Sequence, residues 1–384
     1  METFYIYSVL IMKLQILQES LGKALSNASR FTSQRAQLPV LGNIKLKAEK
    51  TKLLISSTNL EVAVVISVGA KIEEDGEITI PAKTITEIIS NLPLGTLELS
   101  AEKEQLKIES QSFDSTLSGM NASDFPAIPE KIDTKNSLVL PKKLLLGSLS
   151  QVIFAASVDE TRPILTGILF IFKKDSLVLV ATDGFRLSQK IIPIKIGDKM
   201  ETLVLPKFAI SEISRLAGEE EEILLNYKKT DNQAVFGISD TVLSSRVLQG
   251  DYPDYEKIIP KSSVVKISVD KDEMLRAVKL ASVFARESAN IIKIKVGKDT
   301  MGFSAESSTS GSQKNKIDAK VDWKGPAVEN FEIAFNYHFI EDFLHAVNGE
   351  EVSIEFSSES APGVFGDPTD PSFLHLIMPI KIQS

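Results

Sequence analysis

Three times in this chain, at intervals of about 125 residues, a short apolar strand runs into an amphipathic stretch through a proline or an asparagine. The junctions are Ile78–Thr79–Ile80–Pro81, Val204–Leu205–Pro206 and Ile333–Ala334–Phe335–Asn336, followed by AKTITEIISNL, KFAISEISRLAG and YHFIEDFLHAVNG. Pro and Asn suit the start of a helix, and the apolar residues behind them recur at helical spacing. A second helical set lies between these: KLQILQESLGKALSNAS from Lys13, PKKLLLGSLSQVIFAAS from Pro141 and DKDEMLRAVKLASVFAR from Asp270. The chain therefore reads as three copies of one unit, each with two helices and about six to eight strands. Repeats of this kind build curved or closed objects, and such objects hold something.

A chain of 384 residues is long enough for three domains with cores of their own. We expect domains at 1–133, 134–260 and 261–384, since both inner boundaries follow an aromatic–proline phrase, NASDFPAIPEKID and QGDYPDYEKIIPK. Proline removes a backbone donor and restricts its predecessor, so these phrases suit extended connectors. Alternating stretches such as NIKLKAEKTKLLISSTNLEVAVVISV and GILFIFKKDSLVLVATDGFRLSQKIIPI read as antiparallel meanders with one face buried. The class is α+β, with helices covering the buried faces. SSESAPGVFGDPTDPS from Ser357 reads as a flexible loop between the last two strands.

With no cysteine, the chain has no disulfide framework and no thiolate chemistry, which fits a reducing cytoplasm. No apolar run approaches membrane-spanning length, so no membrane partner is expected. Residues 1 to 11, METFYIYSVLI, lack a basic leading segment and a small-residue cleavage site; they read as an extension, with Met12 opening the first strand. The chain contains no GxGxxG after a strand, no GxxxxGK[ST], no GxSxG and no HExxH, and no cofactor is expected. His338, Glu341, Asp342 and His345 share a helical face, but histidines two turns apart do not converge easily on one metal ion, and a solvated polar face is the plainer reading. Asp183 and Arg186 in ATDGFRLS could serve as an acid and an anion clamp in an enzyme's interdomain cleft; a tight Asp-Gly turn holding a structural ion pair competes with that reading.

ATDGFRLS at 181 to 188, DETRPILTGILF at 159 to 170, GDYPDYEKIIP at 250 to 260, LPVLGNIKL at 38 to 46 and the terminal IMPIKI at 377 to 382 together resemble the bacterial sliding clamps, the β subunits of the replicative DNA polymerase. The resemblance runs from Met12 onward, in order and spacing. It implies a non-catalytic processivity factor: a head-to-tail homodimer whose six domains form a ring around duplex DNA, helices lining the hole and a sheet outside. A heterologous contact that closes after a fixed rotation gives such a ring. A ring-forming paralogue with a specialised role would carry the same motifs.

The charge distribution agrees. The whole chain is −8, yet the six helical stretches together carry +4. Positive charge concentrated on elements that face a hole suits sequence-independent phosphate contact. The resemblance places Arg35 and Lys207 at that bore, and helix position adds Lys143, Arg215, Arg276 and Lys279. It further implies an apolar groove for short peptide motifs of the polymerase, the clamp loader and repair proteins, formed by Leu165, Thr182, Gly184, Phe185, Arg186, Leu187, Pro253, Ile258, Met378, Pro379 and Ile380. Phe113, Val283 and Phe284 are the expected apolar contacts between subunits joined through edge strands of the first and third domains. Three departures stand out: Phe185 where the family commonly has histidine, Asn59 where it has aspartate and Lys381 where it has arginine.

Overall fold

The computed structural model describes residues 11–33, 37–196, 201–326, 328 and 331–381. The extension before Ile11 and the bore candidate Arg35 lie outside the described residues. Six α-helices fall within them, two per repeat: α1 Gln18–Ser29, α2 Ala82–Asn91, α3 Lys142–Ser150, α4 Lys207–Leu216, α5 Lys271–Ala285 and α6 Tyr337–Ala346.

The helix starts follow the residues expected. Asn336 caps α6 by accepting from His338 N at 3.0 Å, and Asp270 caps α5 by accepting from Glu273 N at 2.8 Å, each satisfying a donor left open in the first turn. The first helix starts later than the stretch from Lys13 suggested, behind the strand that Met12 was expected to open. Ile11–Leu17 is a strand, because Met12, Leu14 and Ile16 alternate inward with period two, and α1 begins only at Gln18. Lys13 sits on that strand, while Arg30, Asp270 and Arg286 are helix caps. The helices as folded consequently carry +2, half the surplus of the longer stretches.

The chain packs as two compact units that divide the middle repeat, residues 1–142 with 211–247, and 143–210 with 248–384. The reason is that strands pair across repeats. In the first unit one antiparallel sheet runs in the order Lys71–Glu74, Ile11–Leu17, Thr96–Glu102, Gln105–Ser110, Phe113–Ser118. An eight-stranded sheet joins first and second repeats where Thr241–Arg246 pairs with Val62–Gly69, Leu243 opposite Val64. Helix α1 packs on α2, with Leu21, Leu25, Ile85 and Ile89 buried, and the buried Gln18 donates to Ile89 O at 2.7 Å. Glu212 of α4 is buried too; Arg30 donates to it through Nε and Nη2 at 2.8 and 2.6 Å, so that arginine is engaged within the protein.

In the second unit a nine-stranded sheet joins second and third repeats where Arg186–Pro193 pairs with Asp370–Ile377. A four-stranded sheet runs Gly311–Asp318, Thr300–Ser307, Ile291–Val296, Glu332–Asn336, with α5 packed against its first three strands. Phe335, Phe343, Phe356, Phe365 and Phe373 fill the core of the third repeat in stacked and edge-to-face pairs. Each fully buried side chain of this size contributes about 2–3 kcal/mol. The segment expected to be a flexible loop contains the strand Gly363–Asp367: Phe365 is a core residue and Asp367 accepts from the backbone N of Asn348 and Gly349 at 3.2 and 3.0 Å. Its glycines and prolines masked a period-two burial pattern.

Two edge strands are left open. Phe113–Ser118 ends the five-stranded sheet and Gly311–Asp318 ends the four-stranded one, each with its outer backbone row unpaired by any strand among the described residues.

Candidate functional site

The ATDGFRLS segment folds as strand, turn, strand. Thr182 closes Ser176–Thr182, Arg186 opens Arg186–Pro193, and Thr182 Oγ1 donates across the turn to Arg186 O at 2.6 Å while accepting from Gly184 N at 3.0 Å. Asp183 Oδ1 accepts from Phe185 N and Arg186 N at 2.9 and 3.0 Å, the local bonding that makes Asp a turn residue. Gly184 has φ +93, and a Cβ there would stand 3.1 Å from Arg162 Nη1; glycine meets both demands.

Arg186 is held on every side. Its Nε donates to Asp183 Oδ2 at 3.0 Å, Nη1 to Asp342 of α6, and Nη2 to Phe154 O at 2.8 Å, with the guanidinium 4.6 Å from the Phe339 ring centre. Asp183 and Arg186 are thus consumed by each other and by the fold, which removes the geometry that an acid and a free anion clamp require. Among the described residues no group of histidine and carboxylate side chains is arranged to hold a metal ion; Asp342, one of the four candidates on α6, is Arg186's partner.

Beside this turn lies an apolar groove of about 200 Å3. Leu165, Thr182, Gly184, Arg186, Leu187, Pro253, Ile258 and Met378 all line it, as the sequence suggested, and Asp254, Tyr255 and Leu376 join them. Leu187 and Leu376 face each other across paired strands, and with Tyr255 they belong to one buried cluster that forms the floor. Burial first of all pushes the Tyr255 hydroxyl up to about 12, so it stays protonated in the groove wall. The rim is different: Ile258 is 42% and Met378 38% exposed, large apolar side chains left open to water.

Three expected members lie elsewhere. Phe185 is 61% exposed at the turn apex and contributes its carbonyl, which accepts from Met378 N at 2.8 Å. Pro379 and Ile380 lie beyond the rim; Ile380 N donates to Ala334 O at 2.8 Å, carrying the chain away toward the strand Glu332–Asn336. Leu376 could have been found from the alternation of Leu374, Leu376 and Met378 against Phe373, His375 and Ile377.

Under the turn, His375 is fully buried with its ring 5.4 Å from Phe154 and 5.5 Å from Phe343, and its Nδ1 is 2.7 Å from Ser188 Oγ. Burial, with a smaller push from the Arg186 charge, lowers its pKa to about 3. Between pH 3 and the ordinary histidine range near 6.5, the unfolded chain binds a proton that the native state refuses. Stability therefore falls as pH drops through this window, by at most about 1.4 kcal/mol per pH unit. Urea melts at pH 7 and pH 5 should differ by roughly 2 kcal/mol from this residue alone. His375→Gln, which cannot titrate, should flatten that part of the slope; an unchanged slope would show that His375 does not carry it.

Compared with known proteins, residues 12–129, 139–254 and 256–381 match in turn the N-terminal, central and C-terminal domains of the DNA polymerase III beta subunit. The chain belongs to the DNA polymerase III beta subunit family. The Staphylococcus aureus beta sliding clamp is 29% identical over 367 residues, which cover 93% of this chain and 96% of that one. A solved Bacillus subtilis sliding clamp is 26% identical, covering 97% of this chain and all of that one, with a TM-score of 0.91. The Bartonella birtlesii clamp, solved bound to griselimycin, is also 26% identical at the same coverage, with a TM-score of 0.90. The fold is thus the three-domain α+β clamp fold, and the family role is that of a sliding clamp for the polymerase, a processivity factor rather than a catalytic enzyme.

The remaining expected residues of this clamp are spread over its helices and edges. Lys143 on α3, Arg215 on α4, and Arg276 and Lys279 on α5 are exposed. Lys207 is half-buried at the start of α4; burial first, then the Arg186 charge, holds its pKa below the usual lysine value. It sits close enough to Arg186, Asp183 and Asp342 to feel their charges, which makes it less available to solvent than Lys143, Arg215, Arg276 and Lys279. Phe113 lies on the edge strand of the five-stranded sheet, partly exposed. Val283 is exposed on α5, whereas Phe284 is packed against the third-repeat core. Leu280, one turn before Val283 and equally exposed, is the apolar neighbour that sequence reasoning missed. No helix among the described residues is long and apolar enough to cross a membrane.

Proposed function

We propose that this chain forms a head-to-tail dimeric ring that encircles duplex DNA without regard to sequence, and that short peptide motifs of the polymerase, the clamp loader and repair proteins dock in the groove beside Gly184. The observation that carries the reading is the groove itself: a buried floor of Leu187, Leu376 and Tyr255 with Ile258 and Met378 left exposed at the rim. Such a site takes a few apolar anchors of a peptide, and Met adapts to their shape. Of the eleven residues assigned to it, Phe185 stands at the turn apex beside it, and Pro379 and Ile380 lie beyond its rim.

The open edge strands Phe113–Ser118 and Gly311–Asp318 support the dimer, the first belonging to domain 1–133 and the second to domain 261–384. Pairing them would satisfy both exposed backbone rows, with Phe113, Leu280 and Val283 as apolar contacts. Phe284 acts through the core behind them. DNA contact falls to Arg35, Lys143, Arg215, Arg276 and Lys279, with Lys207 a secondary member. We place the protein in the cytoplasm and assign it no cofactor.

The reading is tested by primer extension on a long single-stranded circle, using polymerase, clamp loader and this protein. Products should lengthen from short, distributive fragments to full-length copies only when protein and loader are both present. Product lengths unaffected by the protein would contradict the proposal. Griselimycin, which the Bartonella relative binds, serves as a competitor and should shorten the products again.

A further inference from the structure

The two open edges carry opposite charge. On the five-stranded sheet, the face away from the buried Leu97, Leu99, Leu106 and Ile108 holds Glu98, Glu109 and Asp114 in one row across three strands, because Glu98 pairs with Glu109 and Glu109 with Asp114. Like charges directly opposite on antiparallel strands repel. Lys107, at 2.7 Å from Glu109 and 3.1 Å from Asp114, offsets only part of this. Asp114 is on the edge strand itself, its side chain 63% exposed.

The four-stranded sheet has the reverse pattern. On the face away from the buried Ile292, Ile294 and Met301, the register sets Ser304 between Lys293 and Lys314, and Gly302 between Lys295 and Lys316. Serine and glycine leave a hollow of about 570 Å3 lined by all four lysines, against two acids, Glu306 and Glu332. Lys314 and Lys316 are on the edge strand, and among the described residues neither has a carboxylate within ion-pair distance.

We propose that this charge polarity selects the partner edge: Gly311–Asp318 of one copy receives Phe113–Ser118 of another because Lys314 and Lys316 then stand beside Asp114 and Glu109. Strands in one sheet lie about 4.8 Å apart, so side chains on the same face of the joined sheet come within ion-pair reach. Either edge laid on its own kind would set lysine near lysine or carboxylate near carboxylate, with Asp318 at the end of its strand offsetting only part of the first, and this repulsion disfavours the symmetric dimers. The heterologous contact is the one favoured, and two such contacts close the ring. The inference rests on the dimer reading above and adds what makes the dimer head-to-tail.

Sedimentation equilibrium of the full chain tests it. The unmodified dimer should weaken as salt rises, since the pairs are at the surface. Asp114→Lys, or Lys314→Glu with Lys316→Glu, should each raise the dimer Kd roughly tenfold or more, because both contacts of the ring are struck at once. A chain carrying all three reversals should dimerise with itself again but not with the unmodified chain, as every mixed contact then opposes like charges. All three positions are exposed, and circular dichroism is the check that the variants fold. A salt-sensitive dimer with these responses supports the proposal. If the unmodified chain dimerises but the reversals leave its Kd unchanged, or the swapped chain mixes freely with it, the charge proposal is overturned while the dimer stands. A chain that is monomeric at micromolar concentration overturns both.

Discussion

Replacing Ile258 and Met378 together with alanine should weaken binding of a polymerase-derived peptide about a hundredfold or more, with the fold unchanged. Both side chains are substantially exposed, so their loss opens no cavity in the core. In a complex each would be covered by a peptide side chain, and one lost anchor costs about 1–3 kcal/mol, or roughly fivefold to 150-fold in affinity. Ile258 is the better partner for Met378 than Ile380, whose backbone is already committed to Ala334. Fluorescence anisotropy with a labelled peptide measures the loss, and sedimentation checks that dimerisation is untouched. Affinity equal to that of the unmodified protein would place the partner site elsewhere.

Arg186→Met should have the second large effect, on stability and groove together. Removing the guanidinium strips Asp183 of its ion pair, Asp342 of its partner and Phe154 O of a donor, while the replacement keeps the apolar stem. Breaking a largely buried pair costs about 3–5 kcal/mol; because Asp342 is 42% exposed and can turn to water, we expect about 3 kcal/mol. This side chain ties the TDG turn to α6 through its bonds to Asp183 and Asp342 and its contact with the Phe339 ring, so peptide affinity should fall as well, although Arg186 offers little apolar surface. Urea denaturation of the variant gives the stability term directly. A loss under 1 kcal/mol would mean that the turn holds its shape through Thr182 and Asp183 alone.

The strand–proline–helix phrases made the three repeats and their α+β class legible, because Pro and Asn mark helix starts by local chemistry that tertiary packing does not alter. Helix lengths were less legible: Met12, Leu14 and Ile16 fit a strand as well as a helical face, and only pairing of Ile11–Leu17 with Thr96–Glu102 decides between them. The division into two packing units could not be read at all, since it arises from strands 241–246 and 62–69, and 186–193 and 370–377, whose pairing across repeats leaves no local signature. Eight of the eleven residues that the resemblance implied line one groove, because turn and connector motifs bring them there. Leu376 was missed as one more apolar residue of an alternating strand, and Pro379 and Ile380 came with the terminal IMPIKI motif that carries the resemblance. The candidate bore residues were the least legible, since exposure on a helix does not say what faces it, and Lys207 shows that a helix-start lysine can be half withdrawn from solvent.

The central claim is that this protein holds DNA by enclosing it. The most direct measurement loads it onto a nicked circular plasmid with a clamp loader, removes free protein by gel filtration at high salt, and then cuts the plasmid once with a restriction enzyme. Enclosure predicts that the protein elutes with the intact circle, resists salt that abolishes phosphate contacts, and is lost from the DNA on linearisation through the free ends. Protein that leaves the circle at high salt, or stays on the linear DNA as firmly as on the circle, would contradict it.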